Sequence, residues 1–377
     1  MGNIFDGCFW YMKILFAIKT LDNVYGGAER VLADITSELS ERGHKVSVLS
    51  FDSPGGVAFY PLNKKVKRIP LGIGNVKRKA TLREVISRMT AIRKAAIRMQ
   101  PDVVIAFMHS TFIPASFAMI GTGVPIIASE HIVPDHYRSR KWEYVLLLLS
   151  RFFIRKITVL SQSIIDSYPK VLQSKMFAVA NPVHSVVPKT FGKVSGAKRK
   201  TILNVGRLAA QKDQETLIRS FANLVNEYPD WDLRIVGDGE LRDDLEAVIS
   251  QLGMEERVFM AGTTSDIAKE YQSADIFALP SEYESFGLAT AEAMAHGLPT
   301  IGFASSPGTN ELIVHEQNGL LVDDKDRIQA FADGLRVLMD DKALRCSLGK
   351  VGLKTIEKFH PHPITDEWER LIKIVCD

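Results

Sequence analysis

Short apolar runs rich in β-branched residues recur along this chain, and most are followed by a longer stretch with the spacing of an amphipathic helix. Strands alternating with helices point to an α/β fold, a parallel sheet covered on both faces by helices. In the first half the runs fall at residues 13–18, 45–50, 66–70, 103–107, 126–129, 157–160 and 176–180. In the second half they begin with TILNV at 201–205 and continue through LRIV, VFMAG at 258–262, residues 274–279 and a short run ending near Val322. At 377 residues the chain exceeds the size at which one core keeps growing, so two doubly wound domains are expected. The seam follows Asn181-Pro182, where Pro188, Gly192, Gly196 and the basic run at 198–200 form a link rich in chain breakers.

Composition narrows the class. With 46% hydrophobic and 24% charged residues the chain reads as globular rather than disordered. Cys8, Cys346 and Cys376 are too few and too scattered for a disulfide framework or a metal knuckle, which suggests a reducing, cytoplasmic setting. At the start, Asp6 precedes the first apolar run and Lys13 lies within it, so a secretory signal is not expected; residues 1–11 fit no element, and Met12 suits a functional start. The most lipid-like stretch, YVLLLLSRFFI at 144–154, carries Arg151 and falls short of the ~20 apolar residues needed to span a bilayer.

The net charge of +3 hides a division: residues 1–190 carry 26 Lys and Arg against 13 Asp and Glu, and residues 191–377 carry 21 against 31. The basic surplus concentrates at 64–98. There Leu82, Val85, Ile86, Met89, Ile92, Ala96 and Met99 recur at helical spacing, with Lys79, Arg83, Arg93, Lys94 and Arg98 mostly off that stripe. Such a helix either packs its stripe on a core or rests on anionic lipid headgroups. No base-reading motif supports nucleic acid as a partner.

The most informative stretch is LPSEYESFGLATAEAMAHGLP at 279–299. It reads as a strand end, a polar loop and a short helix stopped by Gly297 and Pro299. Helix onset near Phe286 places free amides at Phe286, Gly287 and Leu288, where the peptide dipoles attract phosphate or sugar hydroxyls. Glu284 stands at the mouth of this helix and Glu292 lies eight residues on. Earlier, paired glycines at Gly26 and Gly27 open a helix after the first strand, and the loop GRLAAQKD at 206–213 offers two fixed cations, Arg207 and Lys212. In parallel sheets ligands collect at the carboxyl ends of strands, which places the loop at 22–30, His109 and His131 on one rim.

Together, Glu284 and Glu292 with SFGLATAEAMAHGLP resemble the E-x7-E element of retaining glycosyltransferases of the GT-B fold, family 4, and the resemblance extends over nearly the whole chain. It implies two Rossmann-like domains facing across a cleft, at 12–190 for the acceptor and 198–360 for the nucleotide sugar, with a last helix at 361–377 returning to the first domain after the break at HPHP. It implies that Glu292 holds the ribose hydroxyls, Glu284 the sugar, and Ser285, Phe286, Gly287 and Leu288 the sugar and phosphate. Arg207 and Lys212 would stabilise the departing diphosphate, a task performed by metal ions in other transferases, and no metal or other cofactor is expected. GGAER, with Gly26 and Gly27, looks like the family's acceptor-side and diphosphate loop, and His131 resembles the histidine set beside the donor sugar. Glu130 fits an orienting role better than a nucleophilic one. Gly237 looks like part of the wall around the base, and the loop from Gly262 would line the same pocket. The two Asp-x-Asp matches, Asp230/Asp232 and Asp324/Asp326, need no metal: one precedes a strand and the other opens a helix.

The expected activity is transfer of a sugar from a nucleotide donor, by family frequency a UDP-sugar, to a lipid-linked glycan in surface polysaccharide or glycoconjugate synthesis. The expected place is the cytoplasmic face of the membrane, contacted as an anionic surface through the basic first domain. A nucleotide-sugar epimerase of the same fold and a non-catalytic nucleotide-binding subunit are the alternatives.

Overall fold

The computed structural model describes residues 11–22, 26–76, 78, 80–137, 140–184, 186 and 199–377. Residues 1–10, part of the 22–30 loop, Lys77, Lys79 and most of the seam after Pro182 lie outside the described residues. The chain divides into two compact units, Met1–Pro182 with Pro361–Asp377, and Val183–His360.

The first unit holds a seven-stranded sheet of β1 (Lys13–Ala17), β2 (Lys45–Ser50), β3 (Lys67–Pro70), β4 (Val103–Phe107), β5 (Ile126–Ser129), β6 (Lys156–Val159) and β7 (Met176–Ala178), in the order β3-β2-β1-β4-β5-β6-β7. All pairings are parallel, with Ile14 opposite Val46 on one side and Val103 on the other. Every residue of β4 and β5 is buried, as expected of strands covered on both faces. The second unit repeats the plan with β8 (Lys200–Val205), β9 (Trp231–Val236), β10 (Val258–Gly262), β11 (Ile276–Ala278), β12 (Thr300–Phe303) and β13 (Gly319–Val322), in the order β10-β9-β8-β11-β12-β13. One face of its sheet closes over Phe221, Trp231, Phe303 and Phe331. In each sheet the strand order reverses beside the first strand, between β1 and β4 and between β8 and β11, and such a switch point opens a crevice at the carboxyl edge.

β12 is not among the runs picked out from sequence, because Pro299 before it and Gly302 within it read as turn residues. Gly302 is required by packing: a Cβ there would lie 2.5 Å from Thr309 Cγ2. The basic helix forms at Leu82–Met99, but its apolar stripe does not lie wholly on the core. Arg88, Ile92 and Ala96 are buried, whereas Leu82 and Ile86 are 75% and 55% exposed. Arg88 replaces an apolar residue there by laying its guanidinium over Phe51, 4.7 Å from the ring centroid, and donating to the Ile73 carbonyl.

The last helix, Pro361–Cys376, belongs to the first unit and begins within the HPHP stretch; proline at the first helical position costs no intrahelical hydrogen bond. It docks on helix Gly27–Glu41 and on β4. Arg42 donates to Asp366, Glu369 and the His362 carbonyl, and Trp368 stacks on Phe107 of β4 with ring centroids 6.1 Å apart. Trp368 is 2% exposed. Truncating so large a buried ring leaves a cavity as well as removing apolar contact, so Trp368→Ala should destabilise the first unit by roughly 3–5 kcal/mol. Urea unfolding of the variant beside the native chain measures this, and an unchanged midpoint would show that the helix contributes no stability.

Candidate functional site

At the switch point of the second sheet three loops are tied together through their backbones. After β8, the Gly206 amide donates to Val236 and the Leu208 amide to Asp238; after β9, the Gly237 amide donates to Gly262 at the end of β10. Gly237 has φ 147°, and a Cβ on it would sit 1.9 Å from the Gly206 carbonyl oxygen. The close approach that requires glycine here is to the neighbouring loop. Gly262, also at positive φ, lies beside Arg242. A further bond, from the Glu282 amide to the Gln211 carbonyl at 2.9 Å, fastens the loop after β8 to the one after β11.

Lys212 and Glu284 meet across that fastening. Lys212 ends a single 3-10 turn, Ala210–Lys212, stabilised where Asp213 takes a left-handed conformation, caps helix Gln214–Ala222 and receives Arg327 at 2.9 Å. Its ammonium donates to Glu284 Oε1 at 2.6 Å, and Ser281 donates to the same oxygen at 2.7 Å. Glu284 is 8% exposed, so this is a desolvated ion pair in which removal of one partner strands the other. Both bonds use Oε1, leaving Oε2 as the oxygen able to accept from a bound molecule. Arg207 lies on the same loop, exposed and with no side-chain partner among the described residues.

The helix beyond Glu284 spans Leu288–Ala295, two residues later than the sequence suggested. Gly287 is its cap at φ 77°, outside helical geometry, and the first intrahelical bond runs from the Ala291 amide to the Gly287 carbonyl. The orphan amides are therefore those of Leu288, Ala289 and Thr290, rather than 286–288. No acidic residue occupies this first turn, so nothing within the helix neutralises its positive end. Ser285 is half-buried, and Phe286 turns its ring edge-on to Phe359, centroids 5.2 Å apart. Glu292 is 8% exposed and accepts at Oε2 from the hydroxyl of the fully buried Tyr271, 2.9 Å away. Tyr271 in turn stacks on His296, with centroids 4.9 Å apart. Sequence reasoning missed Tyr271 and Ser281, whose types are common in cores and turns; only the folded contact distinguishes them.

The first unit carries its own rim of polar groups. Gly26 caps helix Gly27–Glu41, and the Glu29 carboxylate curls over it, 2.0 Å from where a Cβ on Gly26 would stand. Burial raises the Glu29 pKa from its ordinary value. After β5, Glu130 is buried and accepts from the Tyr137 hydroxyl at 2.6 Å and the His131 amide at 3.0 Å. Loss of solvation pushes its carboxyl up to about 7, against the opposing pull of those hydrogen bonds. The half-buried His131 ring stacks on Phe107, centroids 5.0 Å apart, and shares a 2.9 Å bond between Nε2 and Ser129 Oγ. Burial lowers its pKa to about 4, so at neutral pH it is an uncharged imidazole that can donate or accept one proton. His109 opens helix His109–Ala118 after β4 and is likewise held neutral. Thus Arg207, Lys212, Gly237, Gly262, Glu284, Ser285, Phe286, Gly287, Leu288 and Glu292 belong to the second unit, and Gly26, Gly27 and His131 to the first.

Residues 25–185 match a model described as Glycosyltransferase Family 4, and residues 189–355 one described as Glycosyl transferases group 1. An uncharacterized glycosyltransferase of Haemophilus influenzae is 27% identical over 96% of this chain and 99% of its own length. A Campylobacter jejuni enzyme is 29% identical over 96% of this chain and 98% of its own; its name describes an N-acetyl-D-galactosaminyltransferase acting on a GalNAc-bearing diNAcBac-PP-undecaprenol. Among solved structures, sucrose-phosphate synthase from Thermosynechococcus elongatus superposes with a TM-score of 0.83 at 18% identity, covering 96% of this chain and 98% of that one. HepE of Anabaena in complex with UDP and glucose gives 0.78 at 20% identity, covering 96% and 99%.

The buried Glu130 has a consequence for stability. A carboxyl whose folded pKa lies above its unfolded value stabilises the fold at low pH, and that contribution fades as pH rises from about 4.5 through about 7. His131, held neutral, acts in the opposite sense but is common to native and variant chains. Glu130→Gln should therefore gain on the native chain by on the order of 3 kcal/mol between pH 4.5 and pH 7.5. Urea unfolding at closely spaced pH values reads this difference, and a difference independent of pH would mean that Glu130 titrates as an ordinary carboxyl.

Proposed function

The chain belongs to glycosyltransferase family 4 and has the GT-B fold, and from that premise we propose that it is a retaining enzyme moving a sugar from a UDP-linked donor to a lipid-linked glycan. The observation that supports this most is the one-sided holding of Glu284: Lys212 and Ser281 fix Oε1, and Oε2 is turned over to a sugar hydroxyl. Glu292, oriented by Tyr271, takes the ribose hydroxyls through charge-assisted bonds contributing about 1.5–3 kcal/mol each. The Leu288–Thr290 amides and Gly287 receive phosphate oxygens, and Arg207 meets the diphosphate with a charge no other residue claims. Lys212 shares its ammonium between Glu284 and the diphosphate as negative charge builds on the leaving group. In the transfer itself, the bond from the anomeric carbon to the diphosphate oxygen breaks and the acceptor hydroxyl oxygen bonds to the same face. The acceptor proton passes to the departing diphosphate oxygen. In the first unit His131 is the residue proposed to meet a sugar hydroxyl, and the donor chemistry needs no metal.

The lipid-linked acceptor is proposed from the undecaprenol-bearing substrate in the Campylobacter enzyme's name and from a surface of the first unit. No helix among the described residues is long and apolar enough to cross a membrane. Helix Lys141–Ser150 instead exposes Trp142, Val145, Leu146 and Leu149 on one face, continued by Phe152 and Phe153, with Trp142 82% and Phe152 65% exposed. Arg140, Lys141, Arg151 and Arg155 flank it. An apolar face bordered by cations fits the headgroup boundary of an anionic bilayer, with the aromatic rings inserted and the guanidinium groups on phosphate. This face, more than the 82–99 helix, is the proposed membrane contact.

Two measurements test these readings. Thermal-shift titration with UDP, GDP and ADP should show stabilisation by UDP that disappears in Glu292→Ala. With UDP-sugar and a lipid-linked acceptor, Glu284→Gln should lower kcat by roughly 10- to 100-fold, and the product anomer should match that of the donor. No UDP shift, or an inverted anomer, would overturn the donor assignment or the retaining course respectively. For the membrane, flotation with phosphatidylglycerol-containing vesicles should show at least about tenfold weaker binding for a Trp142→Ala/Leu149→Asp/Phe152→Asp chain. Equal binding would remove this face as the contact.

A further inference from the structure

Three side chains from separate segments converge at the carboxyl edge of the first sheet. His109 is the first residue of the helix after β4, His136 lies in a 3-10 turn, Pro134–Tyr137, after β5, and Glu143 lies in the first turn of helix Lys141–Ser150. One ligating atom from each lies within 4.8 Å of the others. His109 Nε2 and Glu143 Oε2 are 3.5 Å apart, and the two imidazole centroids are 5.2 Å apart. Tyr137 presents its ring edge-on to both imidazoles, with each centroid separation 5.7 Å.

The backbone that delivers His109 is itself unusual. Met108, immediately before it, has φ 68°, one of four positive-φ residues other than glycine among the described residues. A non-glycine residue in so sparsely populated a backbone region costs about 1–3 kcal/mol. His109 Nδ1 is buried and has no hydrogen-bond partner among the described residues. The fold thus tolerates both a strained residue and an unsatisfied ring nitrogen to hold this imidazole beside a second imidazole and a carboxylate.

We propose that His109, His136 and Glu143 bind a divalent metal ion of the zinc class, with a fourth position open to water or to an oxyanion. Two imidazoles and one carboxylate form a borderline donor set, suited to zinc and poor for magnesium or calcium, which prefer all-oxygen shells. Three protein ligands characterise open zinc sites, whereas closed structural sites take four. The site belongs to the first unit, whereas Arg207 and Lys212, proposed for the donor diphosphate, belong to the second. No residue of the metal site is proposed for the donor, so metal binding stands or falls independently of the donor chemistry.

The test uses metal content, which does not depend on glycosyl transfer. The full chain, stripped with chelator, reloaded with zinc and desalted, should retain one zinc per chain by elemental analysis. Cobalt substitution should give the intense visible absorption of a four- or five-coordinate ion. His109→Ala and His136→Ala should each weaken zinc binding by roughly a hundredfold or more, and thermal melting should show that both variants remain folded. Retention of no metal by the native chain would overturn the site. So would stoichiometric zinc in the His109→Ala/His136→Ala double variant, which would place the ion elsewhere.

Discussion

Glu284 is kept out of water by one lysine and one serine, and the arrangement of the second unit's rim follows from that pair. A carboxylate at this depth needs a compensating charge, and the nearest cation comes from a loop 72 residues earlier in the chain. To present that lysine, the loop after β8 must turn tightly through Ala210–Lys212 and leave by a left-handed Asp213. Asp213 is then held by Arg327, whose guanidinium also lies 3.8 Å from the Phe303 centroid. The charge at the rim is thereby linked to the core of β12.

Glycine enters this scheme where backbones must touch. A Cβ on Gly237 would strike the Gly206 carbonyl, and one on Gly308 would stand 2.4 Å from the Glu284 carbonyl oxygen. Gly308 bears directly on the pair: its loop packs on the Glu284 backbone, and the Glu284 amide donates to the Pro307 carbonyl at 2.9 Å. The glutamate is thus fixed through its side chain by the loop after β8 and through its backbone by the loop after β12. This double fixation suits a group that must hold its geometry before a ligand arrives.

The strand pattern was readable from sequence because parallel strands buried on both faces leave unbroken apolar runs, as in VVIAF. It became unreadable at β12, where Gly302 serves packing against Thr309, and on helix Leu82–Met99, where Arg88 occupies a core position by covering Phe51. At the site, Glu284, Glu292, Arg207 and Lys212 were visible as residue types at informative spacing. Their partners were not. Tyr271 lies 21 positions from Glu292, on another helix, and no local pattern distinguishes it from a core tyrosine. The helix onset was misplaced by two residues because a left-handed glycine at a cap looks, in sequence, like a glycine inside the first turn.

The two sheets reverse strand order at the same place, beside β1 and beside β8, and of the helices around these reversals one in each sheet shows a contrasting end. In the first, helix Gly27–Glu41 carries Glu29 in its opening turn, and that carboxylate folds over Gly26, where the helix dipole is most positive. In the second, helix Leu288–Ala295 opens with small and apolar residues, and its acidic neighbour Glu284 is already neutralised by Lys212. An anion approaching the first helix meets a carboxylate; one approaching the second meets orphan amides and, on the adjoining loop, the unpaired Arg207. One helix end thus offers a hydrogen-bond acceptor and the other only donors. The two helices hold different places in the strand order, one after the first strand of its sheet and the other after the fourth, and each place keeps its character in both sheets: helix Gln214–Ala222 after β8 carries Glu215 in its first turn, and helix His109–Ala118 after β4 carries no acidic residue there.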